Sequence, residues 1–133
     1  MRATVLGLAF SVTSALLAGT AAAEDAGVGA ALYGEWCAAC HGATGMGDGD
    51  MAGVMTIPSP NLTLLAQNND GVFPMLDVIH VVDGRTGVRA HGGMMPVFGR
   101  VFSSADEANP YGSVLEARGR VLSLAMYLES IQK

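Results

Sequence analysis

The chain has 133 residues, 50% of them hydrophobic and 14% charged, with 12 acidic against 7 basic residues and a formal net charge of −5. That length suits one domain with a modest core, and the acidic balance excludes non-specific nucleic-acid binding, which needs Lys and Arg to neutralise phosphates. Two cysteines exclude a multi-bridge disulfide scaffold. Eighteen glycines and only 6% aromatics leave a thin protein core, unless something other than protein fills it.

Met1 and Arg2 give a short basic start, residues 3–18 an apolar run, and Gly19-Thr20-Ala21-Ala22-Ala23 a small-residue end before Glu24 and Asp25. This order describes a secretory signal peptide cleaved after Ala23, leaving a single domain over residues 24–133. An uncleaved anchor is the alternative, since residues 3–23 could just span a bilayer. Export to the periplasm is the expectation.

Residues 26–39 read as a helix with Gly29, Tyr33 and Cys37 on one face. Residues 42–60 carry five glycines and two prolines, the chemistry of loops. Asn61 can cap a short helix over 62–67. A clearer helix covers 73–82, with Pro74 suited to a first helical position and Gly84 to a C-terminal cap. Residues 84–100 are again glycine-rich around Met94-Met95-Pro96. Ser113 with Glu116 matches a capping box that opens the last helix, running to residue 131 with Val121, Leu124, Leu128 and Ile131 on one face. No stretch alternates with period two. The expected fold is all-α.

The chemistry sits in Cys37-Ala38-Ala39-Cys40-His41. Cys-x-x-Cys-His is the attachment signature of c-type haem. Helical residues three apart share a face, so both thiols can reach along one side of a porphyrin, and His41 is then placed as the proximal iron ligand. A thioredoxin-like dithiol would need a βαβ setting that is absent. A structural zinc would need a second ligand pair, and His80 and His91 lack the spacing. One buried porphyrin would supply the missing core, so the haem-free chain should be unfolded or molten.

The sixth iron ligand is expected to be Met95. Pro96 holds it extended, and Gly92-Gly93 lets the backbone approach the ring. Met94 is the main rival and His91 the next; Met75 and Met126 lie in amphipathic helices as core residues. Arg85 and Arg89 suit haem propionates by their guanidinium forks. His91 could be a propionate partner, a surface residue or a switchable ligand, and His80 reads as structural. Trp36 is expected to pack at the haem edge, with its N–H able to reach a propionate.

Together these residues resemble a class I c-type cytochrome: Cys37 to His41, Met95-Pro96-Val97-Phe98-Gly99, and the helix positions Gly29, Tyr33, Leu124 and Tyr127. The resemblance implies a cytochrome c fold of three to five short helices around one covalently attached haem c. It implies that the first and last helices cross at Gly29 against Tyr127 or Leu124. It also implies a proline carbonyl accepting from His41 Nδ1, with Pro58 preferred over Pro60. Unlike the lysine-rich mitochondrial members, the chain has a single lysine, Lys133, so its docking partner should differ.

The function expected is one-electron transfer between donor and acceptor proteins in a respiratory or periplasmic redox chain, by a monomeric carrier and not an enzyme. The alternatives are a haem subunit of a larger oxidase or dehydrogenase, and a ligand-exchange sensor in which Met95 leaves the iron.

Overall fold

A computed structural model describes residues 20–85, 95–103 and 110–133, with the side chains of 20–26 and 110 left aside. Five helices carry the described chain: α1 (Thr20–Trp36), α2 (Ala38–His41), α3 (Met75–Asp83), α4 (Phe98–Val101) and α5 (Pro110–Ser130). Single 3-10 turns occupy Ala52–Val54, Leu62–Leu64 and Gln67–Asn69, and no strand occurs among the described residues. Nor is any described helix long and apolar enough to cross a membrane.

α1 packs chiefly on α5, while α3 and α4 each pack on both α5 and one another. The α1–α5 crossing is possible because Gly29 has no side chain. A Cβ there would overlap the Ser123 carbonyl and lie 2.8 Å from the Tyr127 Cβ. Beside it the rings of Tyr33 and Tyr127 meet at 5.2 Å. The partner of Gly29 is thus Tyr127 and the α5 backbone, while Leu124 points into the core, almost fully buried.

The core joins Tyr33 and Cys37 of the first helical stretch to Val78 and Val82 of α3, Phe98 and Phe102 around α4, and Val121, Leu124 and Leu128 of α5. The buried stripe of each helix repeats at three- and four-residue spacing, as burial of one face demands. α3 ends as its sequence dictates: Gly84, at φ +81°, donates its N–H to the His80 and Val81 carbonyls.

Several boundaries differ from those expected. The first helix breaks at Cys37, whose φ of −117° departs from helical values, so α2 is a separate turn carrying Cys40 and His41. Upstream, α1 already includes Thr20, because the three alanines at 21–23 are strong helix formers and carry the helix across the expected cleavage point. The described part of α5 already includes Pro110, three residues before Ser113. Ser113 therefore lies inside the helix, and Glu116 pairs with Arg120 one turn on at 2.7 Å. Asn61 does cap, with its Oδ1 accepting from Thr63 N at 2.9 Å, but the turn it opens is 3-10 and ends at Leu64.

Candidate functional site

Everything in the loop after α2 is tied back to the Cys37–His41 turn. Cys40 N and His41 N both donate to the Cys37 carbonyl, at 3.1 and 2.9 Å. The chain then reverses through Gly42 at φ +82°, whose carbonyl accepts from the buried Tyr33 hydroxyl at 2.6 Å. Gly47 N returns to the His41 carbonyl at 2.7 Å, and Met51 N to the Ala39 carbonyl at 2.9 Å. Leu62 N bonds to the Gly45 carbonyl at 2.7 Å, which brings the proline segment alongside. A loop that the sequence reads as irregular is therefore a fixed wall.

That wall borders one side of a cleft. Its outer part is lined by Trp36, Cys37, Cys40 and His41, by residues 57–60, and by Met95, Pro96 and Phe98. A second part, of about 220 Å³, is walled by Tyr33, Leu62, Leu65, Val78, Leu124 and Leu128 among others, with the exposed Asp77 also on its wall. Cys37, His41, Pro60 and Met95 line both parts, so the two are continuous around these residues. Six of the residues singled out from sequence thus converge, with Cys37, Cys40, His41 and Met95 joined by Trp36 and Pro58.

His41 is buried, and its Nδ1 faces the Pro60 carbonyl at 3.4 Å, the outer edge of hydrogen-bond range. The proline facing His41 is therefore Pro60 and not the preferred Pro58. The reason lies in the Leu62–Gly45 and Asn61–Thr63 bonds, which fix the chain just beyond Pro60 against α2.

Trp36 lines the cleft mouth with 44% of its surface exposed. Its indole meets Phe98 and Phe102 edge-on at 6.4 and 6.2 Å. Arg85 lies elsewhere. Its guanidinium pairs with Asp83, two residues back across the Gly84 turn, on the side of α3 that faces Arg118 and Leu122. Arg89, His91 and Met94 lie outside the described residues.

Met55, Ile57 and Ser59 line the cleft too, and Ser59 Oγ lies 3.4 Å from Met55 Sδ as a donor. Nothing in the loop sequence distinguishes these three from their neighbours, because their position follows from long-range backbone bonds.

The thiols are free of any disulfide. Cys37 is 7% exposed, and burial, with a smaller contribution from neighbouring Cys40, pushes its thiol up to about 11. A redox dithiol needs the reverse, an exposed sulfur held as thiolate at neutral pH. Nor do three His, Cys, Asp or Glu side chains among the described residues converge as a metal chelate. Two sulfurs and an imidazole instead border an apolar cleft together with a methionine. A flat apolar macrocycle that needs thioether anchors and axial donors fits that set; a bare metal ion does not.

Comparison with curated proteins and with solved structures returned no match. The family model described as Cytochrome c matches residues 27–109, a span that contains α2, the proline wall, α3 and α4. With its helices packed around an apolar cleft beside Cys37-x-x-Cys40-His41, the chain belongs to the cytochrome c family, whose members carry covalently attached haem c and transfer electrons.

Proposed function

We propose that the protein is an exported monohaem electron carrier that moves single electrons between redox proteins of the periplasm. The observation that carries this reading is the convergence of Cys37, Cys40, His41 and Met95 on one apolar cleft.

In this reading Cys37 and Cys40 would form the two thioethers, and His41 and Met95 would hold the iron. The Pro60 carbonyl holds the Nδ1 proton, which leaves His41 Nε2 as the ligating atom and raises its basicity. Haem iron supplies the one-electron couple. The methionine sulfur favours the ferrous state and so a positive potential. With His41 and Met95 both available to hold the iron, no position would be left for a substrate, which suits transfer over catalysis. Val78 and Val82 of α3 with Leu124 and Leu128 of α5 give the cleft apolar walls, which would limit the reorganisation that accompanies each electron.

The signal-peptide reading rests on residues 1–23 and predicts a mature chain starting at Glu24. Intact-mass analysis of the exported protein should show one covalent haem on a chain of residues 24–133. A haem-free mass with both thiols open to alkylation overturns the proposal. Met95→Ala should abolish the thioether-to-iron absorption band; if Met94→Ala abolishes it instead, the ligand is Met94.

One observation favours the second reading, a haem subunit within a larger oxidase or dehydrogenase complex. Tyr111, Leu115 and Leu122 of α5 are exposed at 82, 67 and 46% and recur at helical spacing on one face. A carrier elutes as a monomer at periplasmic concentration, whereas a subunit co-elutes with its enzyme.

A further inference from the structure

One carboxamide ties the end of the chain to the segment that faces His41. Gln132, half-buried just beyond α5, uses both of its side-chain N–H groups and its oxygen. Its Nε2 donates to the Leu62 carbonyl at 2.8 Å and to the Leu128 carbonyl at 2.6 Å, while its Oε1 accepts from Ala66 N at 2.9 Å. Resting on the reading of His41 as the haem ligand, we propose that Gln132 is a positioning residue for that ligand. By holding Leu62 and Ala66 to the end of α5, it sets the distance from the Pro60 carbonyl to His41 Nδ1, and through it the donor strength of the imidazole and the reduction potential.

The segment from Ser59 to Ala66 needs such a hold. Its regular structure is a single 3-10 turn, which Asn61 caps locally. Its place against the rest of the fold comes from two sides. On one side Leu62 N bonds to the Gly45 carbonyl at 2.7 Å, and Gly47 comes so close to the Ser59 carbonyl that a Cβ there would overlap it. These contacts belong to the loop that carries His41 and move with it.

The other side is the end of α5. There Gln132 grips Leu62 and Ala66, and Lys133 N bonds to the Thr63 carbonyl at 3.0 Å. Two of these three bonds across the seam therefore depend on one side chain. The bond to Leu128 fixes that side chain in turn to a helix whose Leu124 and Leu128 lie in the core. Gln132 thus refers the proline segment to the rigid part of the molecule.

Small displacements matter here because the contact they act on is already at its limit. His41 Nδ1 lies 3.4 Å from the Pro60 carbonyl oxygen, where further separation ends the bond. Pro60 has no N–H with which to anchor itself, and it stands two residues from Leu62, so its carbonyl follows the chain on that side. A weaker bond at Nδ1 leaves the imidazole less basic. Ferric iron is then less stabilised and the potential rises.

The test compares variants of the holoprotein by two readouts: the reduction potential, and solvent exchange of the His41 Nδ1 proton followed by NMR in the ferrous form. Gln132→Leu keeps the bulk of the side chain and removes all three of its bonds. At a fixed ambient potential it should move the ferric-to-ferrous ratio about threefold toward ferrous, and speed the exchange about tenfold. Gln132→Glu keeps the acceptor for Ala66 N but turns a carboxylate oxygen toward the Leu62 and Leu128 carbonyls, so both readouts should shift in the same direction. Gly29→Ala crowds Ser123 and Tyr127 at the α1–α5 crossing, away from this seam. It should lower the melting midpoint and leave both readouts in place.

Gln132 variants that melt lower yet keep the wild-type potential and exchange rate overturn the proposal, leaving the haem reading intact. An equal shift in Gly29→Ala overturns it as well, since general loosening would then be the cause. A protein that carries no haem overturns the haem reading itself.

Discussion

Gly29 and Tyr127 meet across the α1–α5 crossing with so little room that a Cβ at position 29 would lie 2.8 Å from that of Tyr127. The same atom would overlap the Ser123 carbonyl, which belongs to helix backbone and cannot rotate away. Gly29→Ala should gain about 1 kcal/mol of helix propensity and lose more, because overpacking a fixed contact costs about 1–3 kcal/mol and at times exceeds that. Thermal melting of the holoprotein should show a lower midpoint. An unchanged or higher one would mean that the helices separate freely at this crossing.

Asn61 serves two groups at once. Its Oδ1 accepts from Thr63 N at 2.9 Å and from Thr63 Oγ1 at 2.7 Å, and Thr63 is 2% exposed. Asn61→Ala removes a cap worth about 1 kcal/mol and takes away the partner of a buried hydroxyl, a further 1–3 kcal/mol or so. A loss of about 2–4 kcal/mol in denaturant titration is expected. Because this turn fixes the chain next to Pro60, the variant should also loosen the Pro60–His41 contact, visible as a shift in reduction potential. Asn61→Asp, which keeps an acceptor, should restore most of both.

How much of this was legible in sequence depends on the range of the interactions involved. Cys37, Cys40 and His41 are adjacent, so their spacing alone carries the haem reading. Gly84 and Asn61 act within four residues of themselves and are equally readable. The break at Cys37 is not, since Ala38 and Ala39 are good helix formers and only the loop folding back onto Ala39 and His41 accounts for the turn. The capping box at Ser113 failed, since the helix already includes Pro110 three residues earlier. Choosing between Pro58 and Pro60 required the bond from Leu62 to Gly45. Least readable of all is Gln132, whose side chain joins Ala66 N and the Leu62 carbonyl, 66 and 70 residues away, and clasps the end of the chain to the proline wall.

Tyr33 makes the chain sensitive to alkali. Burial chiefly, with smaller contributions from Cys37, Tyr127 and Asp48, pushes its phenol from 10 up to about 12. Unfolded, the phenol loses its proton near pH 10; folded, it holds it to about pH 12. The folded state therefore binds more protons across that interval, and stability falls as pH rises from 10 to 12. Tyr33→Phe should cost about 1 kcal/mol at neutral pH for the lost bond to the Gly42 carbonyl. It should also flatten the alkaline slope. The difference between the two denaturant curves at pH 8 and pH 11 isolates Tyr33, because alkaline changes at the iron are common to both proteins. Parallel loss of stability in the two would place the sensitive group elsewhere.

The cavity lined by α3 and α5 sets how far the fold depends on its cofactor. Its walls come from α1, α3, α5 and the turn after Asn61, so it lies between the elements that must hold together. Left unfilled, this cavity of about 220 Å³ leaves its walls without the packing contacts that a filled core supplies. Small domains have only about 5–15 kcal/mol of stability in total. A chain deprived of haem must then either collapse its walls, moving α3 against α5, or lose cooperative structure. Gly29 and Tyr127 do not themselves line the cavity, so the α1–α5 contact there can persist as residual helix. Cys37→Ser/Cys40→Ser should consequently keep part of its helical circular dichroism while its thermal transition broadens and a hydrophobic dye binds, the signature of a molten state. A sharp, wild-type-like transition in that variant would show that the polypeptide closes the cleft unaided.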